Sequence, residues 1–102
     1  MEHIVYENID WKNIPGSGKR KFEVLENAEG GGIRLWNLPK GESFPKHSHK
    51  GYECVYLIKG KMDISGSILS SGDFILTYEG EEHQAKVLED SVILVIIERK
   101  NI

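Results

Sequence analysis

Two histidines, His47 and His49, stand two positions apart in this sequence, and Glu53 follows shortly after them. Residues two apart on a β-strand point to the same face, so both imidazoles can reach one point. Glu53 has the same parity, so its carboxylate faces the same way if the strand resumes after the turn at Gly51. Two histidines and a carboxylate on one face form the facial triad of metal sites that keep coordination positions open.

A third histidine, His83, begins a later segment in which small or apolar residues alternate with polar ones. This alternation predicts a strand with one buried face, and His83 shares the parity of Ala85 and Val87. We therefore expect His83 to point into the same interior as His47, His49 and Glu53. Three imidazoles and one carboxylate would fill four positions of an octahedron and leave two for water or substrate.

These residues lie among short segments rich in β-branched and aromatic residues, which glycine interrupts at short intervals. The predicted strands are residues 22–25, 33–38, 52–58, 61–64, 74–78, 84–88 and 92–98. No stretch sustains the periodicity of an amphipathic helix. Short strands with glycine turns predict an all-β sandwich or small barrel, and we interpret residues 1–102 as one domain.

The spacing of the candidate ligands resembles the first motif of the cupin superfamily. That motif reads Gly, five residues, His-x-His, three or four residues, Glu, six residues, Gly. The present sequence runs from Gly41 through His47, His49 and Glu53 to Gly60 and matches every position. The resemblance implies that these two histidines and the glutamate are metal ligands.

The second cupin motif reads Gly, five residues, Pro-x-Gly, two residues, His, three residues, Asn. Here Gly72, Gly80 and His83 match, whereas Tyr78 replaces the proline and Val87 replaces the asparagine. The two departures affect a turn and a strand rather than a ligand. The motifs occupy residues 41–60 and 72–87, and the flanking strands suit the same barrel.

The resemblance implies a cupin-type β-barrel, that is, a double-stranded β-helix or jelly roll. It also implies one divalent transition metal ion, either iron, manganese, zinc, nickel or copper. A set of three nitrogens and one oxygen suits several of these ions, and the affinity order alone does not select one.

Several further side chains are candidates for the pocket. Glu53 could leave the metal and act as a base, and Tyr78 could donate a hydrogen bond to a bound ligand. Arg34 and Trp36 share one face of a predicted strand, and parity does not decide whether that face is inside. If Arg34 points inward, it is the natural anchor for a carboxylate. Cys54 is interpreted as a small buried hydrophobe rather than a reactive thiol.

Composition excludes some classes of function. The net charge of −3 gives no electrostatic footprint for nucleic acid or for an anionic membrane. The longest apolar run, residues 92–97, is too short to span a bilayer. It is interpreted as a core strand covered on both faces, and a homodimer is also expected. A single cysteine and the lack of a signal-peptide pattern favour the cytoplasm.

Three functions remain open. The first is a metalloenzyme that acts on a small oxygen-rich organic molecule, with dioxygenase, isomerase or lyase chemistry. The second is a metal-dependent sensor, because some glycines and acidic residues also resemble the cupin domain of certain anti-sigma factors. The given residues show no counterpart of the helical zinc domain that precedes that cupin, so we expect a stand-alone relative. The third is a sugar- or organic-acid-binding module.

Overall fold

The computed structural model of the protein describes residues 1–27 and 29–98. Within these residues, a single 3-10 turn at Tyr6–Asn8 accompanies eight strands. The strands are β1 (Lys12–Asn13), β2 (Arg20–Glu26), β3 (Gly32–Leu38), β4 (Ser43–His47), β5 (Glu53–Ile64), β6 (Ser67–Ser70), β7 (Phe74–Thr77) and β8 (His83–Ile97). The all-β class predicted from the sequence is confirmed. No helix in the described ranges is long and apolar enough to cross a membrane.

All the strands belong to one antiparallel sheet in the order β1-β2-β3-β8-β5-β6, with β4 on β8 and β7 on β5. The long strand β8 organises this sheet. Its first part pairs with β4 and β5, and its second part pairs with β3 and β5. Because β8 has partners on both sides over most of its length, its inward side chains line the interior from end to end.

The interior is filled by apolar side chains from the inward faces of several strands. The most deeply buried of them are Leu38, Leu57, Met62, Val87 and Val92. Full burial of such a side chain stabilises the folded state by about 1.5–3 kcal/mol. The hydrophobic effect at these positions therefore holds the strands that carry the candidate ligands.

The structure joins segments that the sequence predicts as separate strands. Residues 84–88 and 92–98 both fall mainly within β8, although Glu89 and Asp90 are exposed and polar. Ser91 at this junction is buried, and its hydroxyl donates to the Glu89 carbonyl at 2.7 Å and accepts from the Lys61 amide at 3.1 Å. These bonds let a polar stretch continue the strand. The short strands β1, β4 and β6 were not predicted.

Strand β5 changes its buried face midway. Val55 and Leu57 are buried before the change, and Met62 and Ile64 are buried after it. The register between β5 and β8 shifts between Leu57 and Met62, and Gly60 lies in this stretch with a φ of 113°. A β-bulge adds residues to one strand and so inverts which positions face inward. The parity expected for residues 53–57 therefore does not extend to the end of the strand.

Candidate metal centre

The four predicted ligands meet at one end of the barrel. One donor atom from each of His47, His49, Glu53 and His83 lies within 4.8 Å of the other three. His47 ends β4 and is paired in register with His83, the first residue of β8. Glu53 is the first residue of β5, and His49 lies in the connection between β4 and β5. The convergence predicted from spacing is therefore present.

Glu53 lies between two of the imidazoles. Its Oε2 is 2.8 Å from His49 Nε2, and its Oε1 is 3.4 Å from His83 Nε2. The side chains of His49, Glu53 and His83 are 8%, 12% and 9% exposed, whereas His47 is exposed. One face of the cluster is thus shielded from solvent, and the face with His47 is open.

A hydrogen bond orients His47. Its Nδ1 lies 2.8 Å from the carbonyl oxygen of Pro45. A carbonyl oxygen only accepts, so Nδ1 carries the proton and donates it, which leaves the Nε2 lone pair free. This is the arrangement that outer partners commonly impose on metal-binding histidines.

Three further hydrogen bonds hold the two loops that carry the ligands. The Gly51 amide donates to Glu79 Oε2 at 2.9 Å, and the Gly80 amide donates to the His49 carbonyl at 3.1 Å. In the second loop, the Tyr78 amide donates to Glu81 Oε1 at 2.7 Å. Glu79 and the Gly80 amide therefore position the loop that contains His49, while Glu81 stabilises its own loop.

The donor set fits a divalent transition metal ion. Both ring nitrogens of His49 and of His83 are buried, and none of them makes an aligned hydrogen bond with a described residue. The short His49–Glu53 contact is close in distance but is not aligned as a hydrogen bond. Buried polar atoms without partners cost free energy, and metal coordination would satisfy the Nε2 atoms. Three imidazoles and one carboxylate match the ligand preferences of iron, nickel, zinc or manganese.

Burial also favours the protonation state that coordination needs. Desolvation lowers the pKa of His83, and the neighbouring His47 and His49 lower it further. The Glu53 carboxylate and the nearby backbone of Glu81 act in the opposite direction and raise this pKa. The net result is a neutral imidazole near neutral pH, which is the form that binds a metal ion.

A cavity of about 280 Å³ opens next to the four ligands. Its walls are mainly apolar and include Val55, Ile75, Ile93 and Val95. This volume lies near the lower end of the range for small-molecule sites. The cavity can therefore admit a small molecule to the four candidate ligands.

Arg34 and Trp36 line this cavity, so their face of β3 points inward, which parity alone did not decide. Arg34 is in register with Val95, and Trp36 is in register with Ile93, so both share the inward face of β8. The Trp36 ring packs edge-on against Phe44, with ring centroids 5.2 Å apart. Phe44 and the whole of β4 were missed because the segment Ser43–His47 is short and contains Pro45.

The other sequence-predicted residues lie elsewhere. Tyr78 is 56% exposed, is not among the residues that line the cavity, and packs edge-on against Tyr52 at 5.9 Å. The structure does not bring it to the cluster. Its neighbour Thr77 is buried, lines the cavity and is in register with Glu53. Residues 74–78 show no alternation of apolar and polar residues, so no sequence signal marked Thr77. Cys54 is half-buried on the outward face of β5.

Solved structures with the same fold support the barrel assignment. The complex of SigE with the anti-sigma factor ChrR from Rhodobacter sphaeroides matches with a TM-score of 0.78 and 23% identity, over 92% of this chain and 52% of the matched chain. This chain thus spans about half of that one. KdgF from Halomonas sp. matches with a TM-score of 0.79 and 20% identity, over 97% of this chain and 96% of that chain.

A third structure, an acetylacetone dioxygenase from Acinetobacter johnsonii, has a TM-score of 0.78 and 20% identity, over 95% of this chain and 72% of that chain. At these identities, the likeness establishes the fold alone. The cupin-type barrel predicted from the sequence is confirmed.

A comparison with curated protein sequences gave no significant match. A model of the family described as the ChrR cupin-like domain matches residues 1–101. This match extends over nearly the whole sequence, and the histidines of both motifs lie together in the structure. The chain therefore belongs to the ChrR cupin-like family.

Proposed function

We propose that this protein is a small metalloenzyme that acts on an oxygen-rich organic molecule. The observation that carries the proposal is the cavity of about 280 Å³ that opens beside His47, His49, Glu53 and His83. A structural metal site is closed by protein ligands, whereas a catalytic site keeps positions open beside a pocket. The combination of four donors and an adjoining cavity supports the catalytic alternative.

A metal ion bound by these four residues would act as a Lewis acid or as a centre for oxygen binding. The protein itself supplies orientation and a proton carrier. The apolar walls exclude water from the ligand, which strengthens polar interactions inside the cavity. Glu53 is the proposed catalytic residue, because its carboxylate lies at the cavity and can accept a proton from a bound substrate.

Dioxygenase, isomerase and lyase chemistry are all compatible with this site. The similar fold of an acetylacetone dioxygenase supports a substrate with two neighbouring oxygen donors. Such a substrate would use both coordination positions that four protein ligands leave on an octahedral ion.

The first experiment measures metal content in purified protein without an affinity tag. We expect about one transition metal ion per chain in the wild type and in a His3→Ala variant, because four ligands converge without His3. A His47→Ala/His49→Ala variant should lose it. If the double variant retains the metal, the ligand set is wrong.

The second experiment tests whether the metal has open positions. Acetohydroxamic acid, which coordinates through two oxygens as its hydroxamate anion, is titrated by calorimetry into the nickel-loaded protein, because four protein donors would already fill a tetrahedral zinc ion. Binding that is absent from the His47→Ala/His49→Ala variant supports an open site. A metal-loaded protein that binds no hydroxamate would have a closed, structural site.

A metal-dependent sensor is the second candidate, and membership of the ChrR cupin-like family favours it. A sensor would bind a small ligand and change conformation or metal affinity without turnover. Product analysis after incubation of the metal-loaded protein with small diketones and keto acids separates the two. A consumed substrate supports the enzyme, and saturable binding without consumption supports the sensor or a simple binding module.

We also propose a homodimer formed through the outward face of the sheet. One row of apolar side chains crosses five strands in register, from Leu76 through Cys54, Ile96 and Ile33 to Leu25. Leu76, Ile96 and Leu25 are 48%, 45% and 57% exposed. Large exposed apolar surfaces of this kind commonly mark association sites. Sedimentation of the wild type and a Leu76→Glu variant tests this, and a monomeric wild type would contradict it.

The cytoplasmic location stays a prediction.

A further inference from the structure

Arg34 is a charged side chain in a cavity whose walls are mainly apolar. It lies on β3 in register with Val95, which is in register with Val55 on β5. Val55 is two residues beyond Glu53, so Arg34 stands one inward row below the metal ligands and two strands away. Neighbouring strands are about 4.8 Å apart, so the side chains of Arg34 and Val55 start roughly 10 Å apart across the sheet. Glu53 lies one inward row from Val55, at the start of β5.

The guanidinium group has donors to spare. Its Nε is 3.3 Å from Glu23 Oε2, and one terminal nitrogen donates to the Gly30 carbonyl at 3.3 Å. The Nε contact is not an aligned hydrogen bond, and both Arg34 Nε and Glu23 Oε2 are buried. An arginine side chain has five N–H donors, so most of them are left for another acceptor.

The charges around Arg34 do not balance. Glu23 is shared between two cations, since Lys21 Nζ lies 3.3 Å from its other carboxylate oxygen. Arg34 and Lys21 together carry two positive charges against one negative charge on Glu23. The side chains of Arg34 and Glu23 are only 17% and 24% exposed, which limits screening by water. Arg34 thus brings to the cavity wall, two strands from Glu53, a positive charge that Glu23 compensates only in part.

We propose that Arg34 is the specificity-determining residue that binds a carboxylate at the far end of the ligand. The ligand would be a small molecule with two oxygen donors for the metal at one end, a short apolar middle and one carboxylate at the other. The single excess charge matches a monoanionic carboxylate rather than a dianionic phosphate. The planar guanidinium can also hold a carboxylate through two parallel hydrogen bonds. This inference rests on the proposed open metal site.

The test uses the monohydroxamates of succinic, glutaric and adipic acid, each compared with the matching compound in which the carboxylate is an amide. The hydroxamate end is the same in every compound, and chain length is scanned across the series. Dissociation constants are measured by calorimetry with the nickel-loaded protein. We expect one chain length at which the carboxylate binds about tenfold or more tightly than its amide.

Arg34→Gln should reduce this preference to about one while it leaves the affinity for the amide within about twofold of the wild type. Arg20→Gln is the matched control, because Arg20 is an exposed arginine of the same strand as Lys21 and does not line the cavity. It should retain the preference. Arg34→Lys keeps the charge but loses the planar fork, and it should recover only part of the preference.

Arg34→Gln leaves Glu23 without its buried partner, which can destabilise the fold. The double variant Glu23→Gln/Arg34→Gln removes both charges and serves as the second test. It should also bind acid and amide equally.

If the wild type binds each acid and its amide equally, the role of Arg34 is wrong and the open metal site stands. A preference that survives in both Arg34 variants would equally overturn it. If the metal-loaded wild type binds neither acid nor amide, the proposed open site fails, and this inference fails with it.

Discussion

Glu53 Oε2 lies 2.8 Å from His49 Nε2, so the carboxylate of the candidate centre already contacts one of its imidazoles. The other oxygen of Glu53 faces His83 at 3.4 Å. A single carboxylate therefore connects a loop residue with the first residue of β8. Its negative charge also compensates part of the positive charge that a divalent ion would bring into this shielded region.

Glu53→Gln should weaken metal binding at least tenfold, since even the loss of an outer-shell partner costs about that much. The amide keeps the size of the side chain but removes its charge. Metal affinity is measured by competition with a chromophoric chelator. Glu82→Gln removes an exposed carboxylate next to His83 and should leave the affinity nearly unchanged. Equal losses in both variants would indicate a general charge effect instead of coordination by Glu53.

The metal-free protein should lose stability as the pH falls. Burial lowers the pKa of His83 below the ordinary value of 6.5, so between these two values the unfolded chain binds more protons than the folded one. The stability that neutral His83 contributes to the folded state is fully present above pH 6.5. It is lost as the pH falls through the pKa of His83 in the folded protein. For one proton, the slope is at most about 1.4 kcal/mol per pH unit.

Urea unfolding of the metal-free protein from about pH 8 to about pH 5 measures this dependence. His83→Gln should flatten the curve, and His3→Gln should not. A curve for His83→Gln as steep as that of the wild type would assign the dependence to other groups.

The two glycines of the first motif should differ in their tolerance of a methyl group. A Cβ at Gly60 would overlap the Ser91 hydroxyl and lie 2.6 Å from the Asp90 carbonyl oxygen, whereas nothing lies within 4 Å of a Cβ at Gly41. Both have positive φ, 113° and 93°. Gly41→Ala should therefore cost about 1–2 kcal/mol from backbone strain alone. Gly60→Ala should cost roughly 2–5 kcal/mol, because overpacking adds to that strain.

Chemical denaturation of the two variants under the same conditions gives the comparison. Equal costs would mean that β5 and β8 can separate at Gly60 without penalty, contrary to the close approach of Ser91.

Tyr78 and Thr77 should have opposite importance for ligand binding. Tyr78 is exposed and lies against Tyr52, so Tyr78→Phe should change the affinity for acetohydroxamate less than about twofold. Thr77 lines the cavity in register with Glu53, so the larger side chain in Thr77→Leu should lower the affinity about tenfold by filling space. Calorimetry on the metal-loaded variants measures both. A large loss in Tyr78→Phe would restore the ligand contact predicted from the sequence.

The convergence of the four candidate ligands was predictable mainly from the motif spacing, because strand parity applies to only part of the set. Glu53 and His83 each begin a strand, whereas His49 lies in the loop after β4, so the expectation that His47 and His49 share one face of a strand is not met. The register between β4 and β8 also shifts between Phe44 and His47, so alternation along β4 does not decide where His47 points. The motif spacing therefore predicted the cluster better than the alternation within single strands.

The inward position of Arg34 was not predictable, because both faces of β3 carry large side chains. Only its register with Val95 on β8 decides the face. Register depends on which strand lies alongside, and a sequence pattern within one strand does not contain that information. The shift near Gly60 escaped for the same reason, since a bulge is defined by two strands together. The continuity of β8 escaped because Glu89 and Asp90 resemble a turn when they are considered alone.

The position of β8 at the end of the described chain sets an order of events during synthesis. His83 is its first residue, and its partners β3, β4 and β5 are all made before it. While a nascent chain ends at β7, these earlier strands have no central partner, and the cluster lacks one imidazole. Pairing over such long sequence separations is slow compared with local folding. The four-residue cluster is therefore complete only after the ribosome has released His83, and a chain stalled before that point offers only three of its residues.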